Sequence, residues 1–327
     1  MKTIDYAQLQ ACLYLRIPPL DFMAHDCSLI LDEETQEKVA GDLMGIAETN
    51  CYYVRLFLAQ YVRVLEKNSA VIDSLYELYC EPRILGAQEL PATSEDLLRY
   101  AIDNSGAYVT IKETPRVISG AGTTGLRTWE AALFLLNYFN NMGGTRRIFD
   151  AKNVLELGTG TGLVSLALLH NYGFHNFRSI TLTDGDSALL EKLPETFRLN
   201  QLPQEVPVHV RQLIWGEDDI HENETANESS LDSVDVIVAA DVTYDALVVP
   251  QLCDTLARHF RKGATVAYVA ATIRNSNTIE VWEQQLLERF SWTVCASETN
   301  PHESDLKCWF RKGTPEIRVY EICDTSG

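Results

Sequence analysis

Apolar positions in the first part of the chain recur at helical spacing. Val39, Leu43 and Ile46 fall on one face; Val54, Phe57, Leu58, Tyr61, Val64 and Leu65 make a second; Val71, Ile72, Leu75, Leu78 and Tyr79 make a third. With no strand alternation among them, an all-helical N-terminal domain is predicted over residues 1–92. Pro18 and Pro19 separate its first helix from the rest. The stretch EPRILGAQELPATSE, 81–95, holds two prolines and a glycine and predicts a boundary there, with Ser94 capping a short helix from Glu95.

The pattern changes from about residue 105. AYVTIK (107–112) alternates as a strand does, and GAGTTGLRT (120–128) is a glycine-rich loop. Thr128 is placed to cap a helix that carries Trp129, Leu133, Leu136 and Phe139 or Tyr138 on one side. Strands are predicted near 153–157, 180–184, 207–214, 234–240, 264–271, 291–297 and 316–323. Helices are predicted between most of them, at 163–172, 187–200 with Pro194 as a kink, 246–261 and 277–290. Strand–helix alternation implies a mostly parallel α/β sheet, so residues 96–327 read as a seven-strand Rossmann-like domain. The last two strands are joined only by 298–314 and should pair antiparallel. The acidic run DDIHENETANESSLDS, 218–233, reads as a mobile loop.

Composition narrows the chemistry. The chain has 327 residues, 46% of them hydrophobic, and a formal charge of −19. Phosphate-backbone binding normally needs a basic face, so nucleic acid is a poor first substrate. Local basic patches remain open around Arg146–Arg147 and Arg258–Lys262. The eight cysteines are scattered, without a C-x-x-C pair or zinc-like spacing, which reads as free thiols in a reducing compartment. No run approaches a membrane span, and the first residues lack a signal-peptide pattern, so a cytoplasmic protein is expected and no metal.

The most constrained segment is NVLELGTGTGLVSLALL (153–169), followed by ITLTD (180–184). An apolar strand, a turn with Gly158, Thr159, Gly160 and Gly162, a helix, and a second strand ending in Asp184 form a crevice for a ribose-bearing cofactor. A nicotinamide dinucleotide would want G-x-G-x-x-G, but the third glycine of that pattern falls on Leu163. Glu156, just before the turn, would repel a pyrophosphate and suits an ammonium. S-adenosyl-L-methionine has a ribose, an α-amino group and no phosphate, and fits best.

Ligands of such sheets lie outside the carboxyl ends of the strands. There the third strand offers Trp215, a flat face for an adenine or else a core residue. The fourth offers Ala240, whose backbone would pass beneath the cofactor, then Asp241 and Tyr244. The fifth ends in ATIRN (271–275). Trp129 either closes over the methionine end or packs as core. Asp241 and Tyr244 are the substrate-side pair, one to orient an amine and one to cradle an alkylated cation, although D-x-x-Y also suits a helix cap with a packed tyrosine.

The stretches RTWEAALFLLNYF (127–139), VLELGTGTGLVSLALL (154–169), LTD (182–184), LIWG (213–216) and VIVAADVTYD (236–245) resemble the family 16 seven-strand methyltransferases. The resemblance implies protein-lysine methylation, with Trp129, Gly158, Gly160, Asp184, Trp215 and Ala240 at the cofactor and Asp241 and Tyr244 on the substrate side. YCEPRILGA (79–87), with GTTGLRTWEAALFL (122–135) and AADVTYD (239–245), looks like the eukaryotic elongation factor 2 lysine methyltransferases. That implies elongation factor 2 as the protein partner. The alternatives are another protein, a small molecule, or a non-catalytic binding module.

Overall fold

A computed structural model describes residues 5–24, 27–102, 107–120, 122–141, 148–170, 177–202, 207–217, 234–304 and 310–325. The 218–233 loop and Arg146 and Arg147 lie outside the described residues. Two compact units divide the chain, Met1–Val117 and Ile118–Gly327.

The first unit carries α1 (Tyr6–Tyr14), α2 (Pro19–Met23), α3 (Cys27–Leu31), α4 (Glu33–Lys67), α5 (Asp73–Cys80) and α6 (Pro82–Leu85). Two of the predicted apolar faces belong to one long helix, α4, which Asp32 caps through Thr35 N at 2.9 Å. That helix leaves helical geometry at Asn50. There the Asn50 Oδ1 accepts from Tyr53 N at 2.9 Å, as a cap does, so the helix restarts within itself. Phe22, Phe57 and Tyr61 pack edge-on inside this unit, the first two with ring centroids 4.7 Å apart.

Among the described residues the predicted helical stretch 1–92 carries only helices, and a hairpin of β1 (Asp96–Ala101) and β2 (Tyr108–Glu113) completes the unit after it. The helix expected from Glu95 is instead strand β1, with Asp96, Leu98 and Tyr100 buried in alternation. The reason is remote in sequence. Asp96 is the acceptor for Arg16 at 3.0 Å and for the Asn50 amide at 2.6 Å, and these bonds fix an inward-facing acid that local pattern reads as a helix start. Because those ties hold the hairpin to the helices, the division between units falls later than the 81–95 stretch.

The second unit begins with α7 (Glu130–Asn141) and a seven-stranded sheet. Its strands are β3 (Asn153–Leu157), β4 (Ser179–Asp184), β5 (Val208–Gln212), β6 (Val236–Ala240), β7 (Val266–Thr272), β8 (Phe290–Glu298) and β9 (Ile317–Asp324). The helices are α8 (Leu163–His170), α9 (Ser187–Leu190), α10 (Leu193–Asn200), α11 (Val249–Arg261) and α12 (Ser276–Arg289). The order is β5-β4-β3-β6-β7-β9-β8. The first five strands run parallel, and β9 pairs antiparallel with both β7 and β8. Pro194 does more than kink its helix: it opens α10 as a separate element after α9. Leu155, Leu157, Ile237, Ala239, Val269 and Ala271 form the strand layer of a core that α11 and α12 cover with Leu252, Leu256, Trp282 and Leu286. A strand order that reverses between β4 and β6 around β3 leaves a crevice at the carboxyl ends of those strands.

Candidate functional site

A cavity of about 720 Å³ opens there, lined within the second unit by the turn after β3, the ends of β4 and β6, and the loop leading into α7. The turn owes its shape to glycine. Gly158 has φ +67°, and a Cβ on it would stand 2.8 Å from Val242 Cγ1 and 3.2 Å from Trp215 Cζ2. No side chain fits between that turn, Val242 and the indole, so bare backbone faces the cavity. Gly160, also left-handed at φ +51°, aims its N–H at Asp184 Oδ2, 2.9 Å away. Gly162 does not line the cavity; it is buried against Leu193 where α8 begins.

Asp184, the last residue of β4, is half-buried. Its second oxygen accepts from Asp186 N at 3.0 Å. Burial raises its pKa, and the bonds from Asp186 and Gly160 pull against that rise. With Gly185 these backbone groups fill part of the roughly four acceptor positions of a carboxylate, so capacity remains for a hydroxyl of a ligand. Trp215 is partly buried, with its ring against Gly158 and the core beneath. Ala240 lines the floor.

Glu156 is 2% exposed at the wall of the cavity, and its Oε2 accepts from Thr159 Oγ1 at 2.8 Å and from Ser165 Oγ. Burial outweighs these hydroxyls and pushes its pKa up from 4.5 to about 7. The folded state therefore holds a proton that the unfolded chain releases, so stability falls as pH rises between about 4.5 and 7. The expected loss is on the order of 3 kcal/mol, as a shift of this size implies. Urea unfolding at pH 5 and pH 8 should show it in the wild type and not in Glu156→Gln; equal pH dependence in both would refute it.

Trp129 donates its Nε1–H to Thr124 O at 2.9 Å. The guanidiniums of Arg127 and Arg274 lie 4.5 and 4.7 Å from its ring centroid. Tyr244, 53% exposed, and exposed Ile214 both line the cavity.

Asp241 differs from Asp184 in one decisive respect. Its Oδ1 accepts from Thr272 N and Arg274 Nη1, and its Oδ2 from Thr272 Oγ1 and Arg274 Nη2, all four at 3.0 Å. The acceptor capacity of the carboxylate is full. The backbone at Asp241 is left-handed, φ +55°, at a cost of about 1–2 kcal/mol that aspartate tolerates better than most residues. Its N–H goes to Ala270 O at 2.8 Å, so β7 holds this turn by main chain and side chain together. Arg274 also bonds Glu130 Oε2 at 2.8 Å, and Glu130 meets Arg127 at 3.3 Å.

The structure thus gathers Trp129, Glu156, Gly158, Thr159, Gly160, Asp184, Trp215, Ala240, Asp241 and Tyr244 around one cavity. The sequence places Thr272 and Arg274 at a strand end without giving either a partner, and does not single out Glu130. Their bonds cross 31 to 144 positions of sequence and leave no local signal.

The residues fit S-adenosylmethionine: a cradle that a Cβ would fill, an acceptor carboxylate at a strand end, and a flat indole beside it. Among the described residues no cluster of acidic, histidine or cysteine side chains could hold a metal ion, and no helix is long and apolar enough to cross a membrane.

A family model described as lysine methyltransferase matches residues 112–287. Protein-lysine N-methyltransferase EFM3 of Saccharomyces cerevisiae is 35% identical over 275 residues, 79% of this chain and 77% of the yeast protein. The protein of the same name from Chaetomium thermophilum is 34% identical, covering 77% of this chain and 75% of its own length. Protein-lysine N-methyltransferase EEF2KMT of Homo sapiens is 32% identical over 248 residues, 72% of this chain and 69% of the human protein.

Proposed function

The chain belongs to the lysine methyltransferase family and is an S-adenosylmethionine-dependent protein-lysine N-methyltransferase, and from that premise we propose that it methylates elongation factor 2 in the cytoplasm. The substrate rests on the resemblance of residues 79–87, 122–135 and 239–245 to methyltransferases of that factor, and on the name EEF2KMT of the human relative.

Bound S-adenosylmethionine supplies a methyl group on a cationic sulfur, a leaving group good enough that alignment with the acceptor is the main demand. Asp184 takes the ribose hydroxyls, and Trp215 flanks the adenine over the bare backbone of Gly158 and Gly160. Glu156 faces the ammonium end, where a cation beside it favours its ionised form. Trp129 closes the methionine end. Asp241 and Tyr244 mark the acceptor end, and the observation that carries this assignment is Tyr244, an aromatic ring that lines the cavity and is 53% exposed.

The acceptor must arrive neutral. For a lysine with its ordinary pKa, losing the proton at pH 7 costs about 4–5 kcal/mol. An aromatic ring that lines the cavity can then hold the alkylated cation.

Purified protein, labelled donor and a lysate of cells lacking the gene give the test. A labelled band at the size of elongation factor 2 is expected, with mass increments on the intact factor counting the methyl groups. Labelling of other proteins alone, or of none, would overturn the substrate.

A further inference from the structure

We infer that Arg274 is a positioning residue for methyl transfer, and that Asp241 acts through its pairing with Arg274 rather than by taking a proton from the amine. This inference rests on the assignment above of residues 241–244 to the acceptor end. It begins from a contrast between two acids at neighbouring strand ends. Asp184 is half-buried and accepts backbone N–H groups of Gly160, Gly185 and Asp186, with no cation on it. The Asp241 side chain is 5% exposed, and both oxygens are taken twice over. An incoming amine finds acceptor capacity at the first acid and none at the second.

The grip on Asp241 is two-pronged, and only a planar guanidinium supplies it. The same guanidinium reaches Glu130 in the first turn of α7 and lies over the ring of Trp129. Arg274 therefore fastens three pieces of the cavity wall: the end of β6, the end of β7 and the start of α7. Each piece carries a residue that must sit still. Asp241 fixes the left-handed turn that leads to Tyr244, and Trp129 lines the same cavity beside the guanidinium. Small displacements of such groups are costly in a transfer that depends on alignment. Displacing Arg274 to free the carboxylate would break the bonds to both acids at once, so the clamp stays in place while substrate is bound.

Arg274→Gln, Asp241→Asn and the double variant test the inference, read by thermal unfolding, S-adenosylhomocysteine affinity, kcat and KM. Each single variant should lower kcat by roughly 10- to 100-fold and weaken the product several-fold, as loss of alignment does. The double variant should be no worse than the poorer single, because both remove the same unit. Arg274→Lys should recover little of kcat, since an ammonium cannot hold two oxygens and Glu130 together. Glu130→Gln loosens the clamp from its outer side and should move kcat the same way if Asp241→Asn fails to fold. Three results would each overturn the inference: multiplied effects in the double variant, full rescue by lysine, or loss of turnover in Asp241→Asn with Arg274→Gln within twofold of wild type. Product affinity is measured without any protein substrate, so its coupling stands or falls separately from the identity of that substrate.

Discussion

Asp184→Ala should weaken S-adenosylhomocysteine binding by about 100- to 1,000-fold, or about 3–4 kcal/mol. A carboxylate that meets two ribose hydroxyls makes two charge-assisted hydrogen bonds, each worth about 1.5–3 kcal/mol. Part of that is recovered when water enters the truncated site. The variant also removes the acceptor of Gly160 N and Asp186 N. Those groups lie where water can reach them, so the fold should lose about 1 kcal/mol and no more. Asp184→Asn keeps one acceptor oxygen and should fall between wild type and alanine. Calorimetric titration is the direct measurement. An affinity within threefold of wild type, in a protein that melts normally, would remove Asp184 from the ribose site.

Trp282→Ala should destabilise the second unit by about 3–5 kcal/mol, the range for emptying a large aromatic site in a core. Trp282 is fully buried on α12 and meets Tyr320 of β9 edge-on, ring centroids 6.0 Å apart. Ile279 and Leu286 lie on the same buried stripe, so no neighbouring surface can collapse into the hole without moving the helix. The indole N–H has no hydrogen-bond partner among the described residues, so Trp282→Phe loses volume and no hydrogen bond. It should cost much less than alanine. Denaturant midpoints at constant slope give both numbers, and an alanine variant within 1 kcal/mol of wild type would contradict the packing.

What the chain spelled out locally, it spelled out well. The glycine turn, Asp184 and Trp215 could be placed because strand, turn and strand end follow one another within a few residues, and their crevice follows from sheet topology. The antiparallel pairing of β8 with β9 was legible from the shortness of the segment joining them. What failed was non-local. Strand β1 looks locally like a helix start because the partners that bury Asp96, Arg16 and Asn50, lie 80 and 46 positions away. The full coordination of Asp241 was hidden for the same reason: an arginine 33 positions on gives no periodic signature. Gly162 belonged to the glycine pattern but serves helix packing, a use that spacing alone does not separate from ligand contact.

The placement of β9 between β7 and β8 has a consequence for how the molecule is made. Residues 290–298 leave the ribosome before 317–324, yet they can reach the sheet only through the later segment. For that interval the earlier strand is an orphan ribbon with open backbone edges, a template for pairing with other nascent chains. Mutations that slow the arrival of 317–324 should therefore show up first as poor yield from living cells, in molecules that, once finished, work normally.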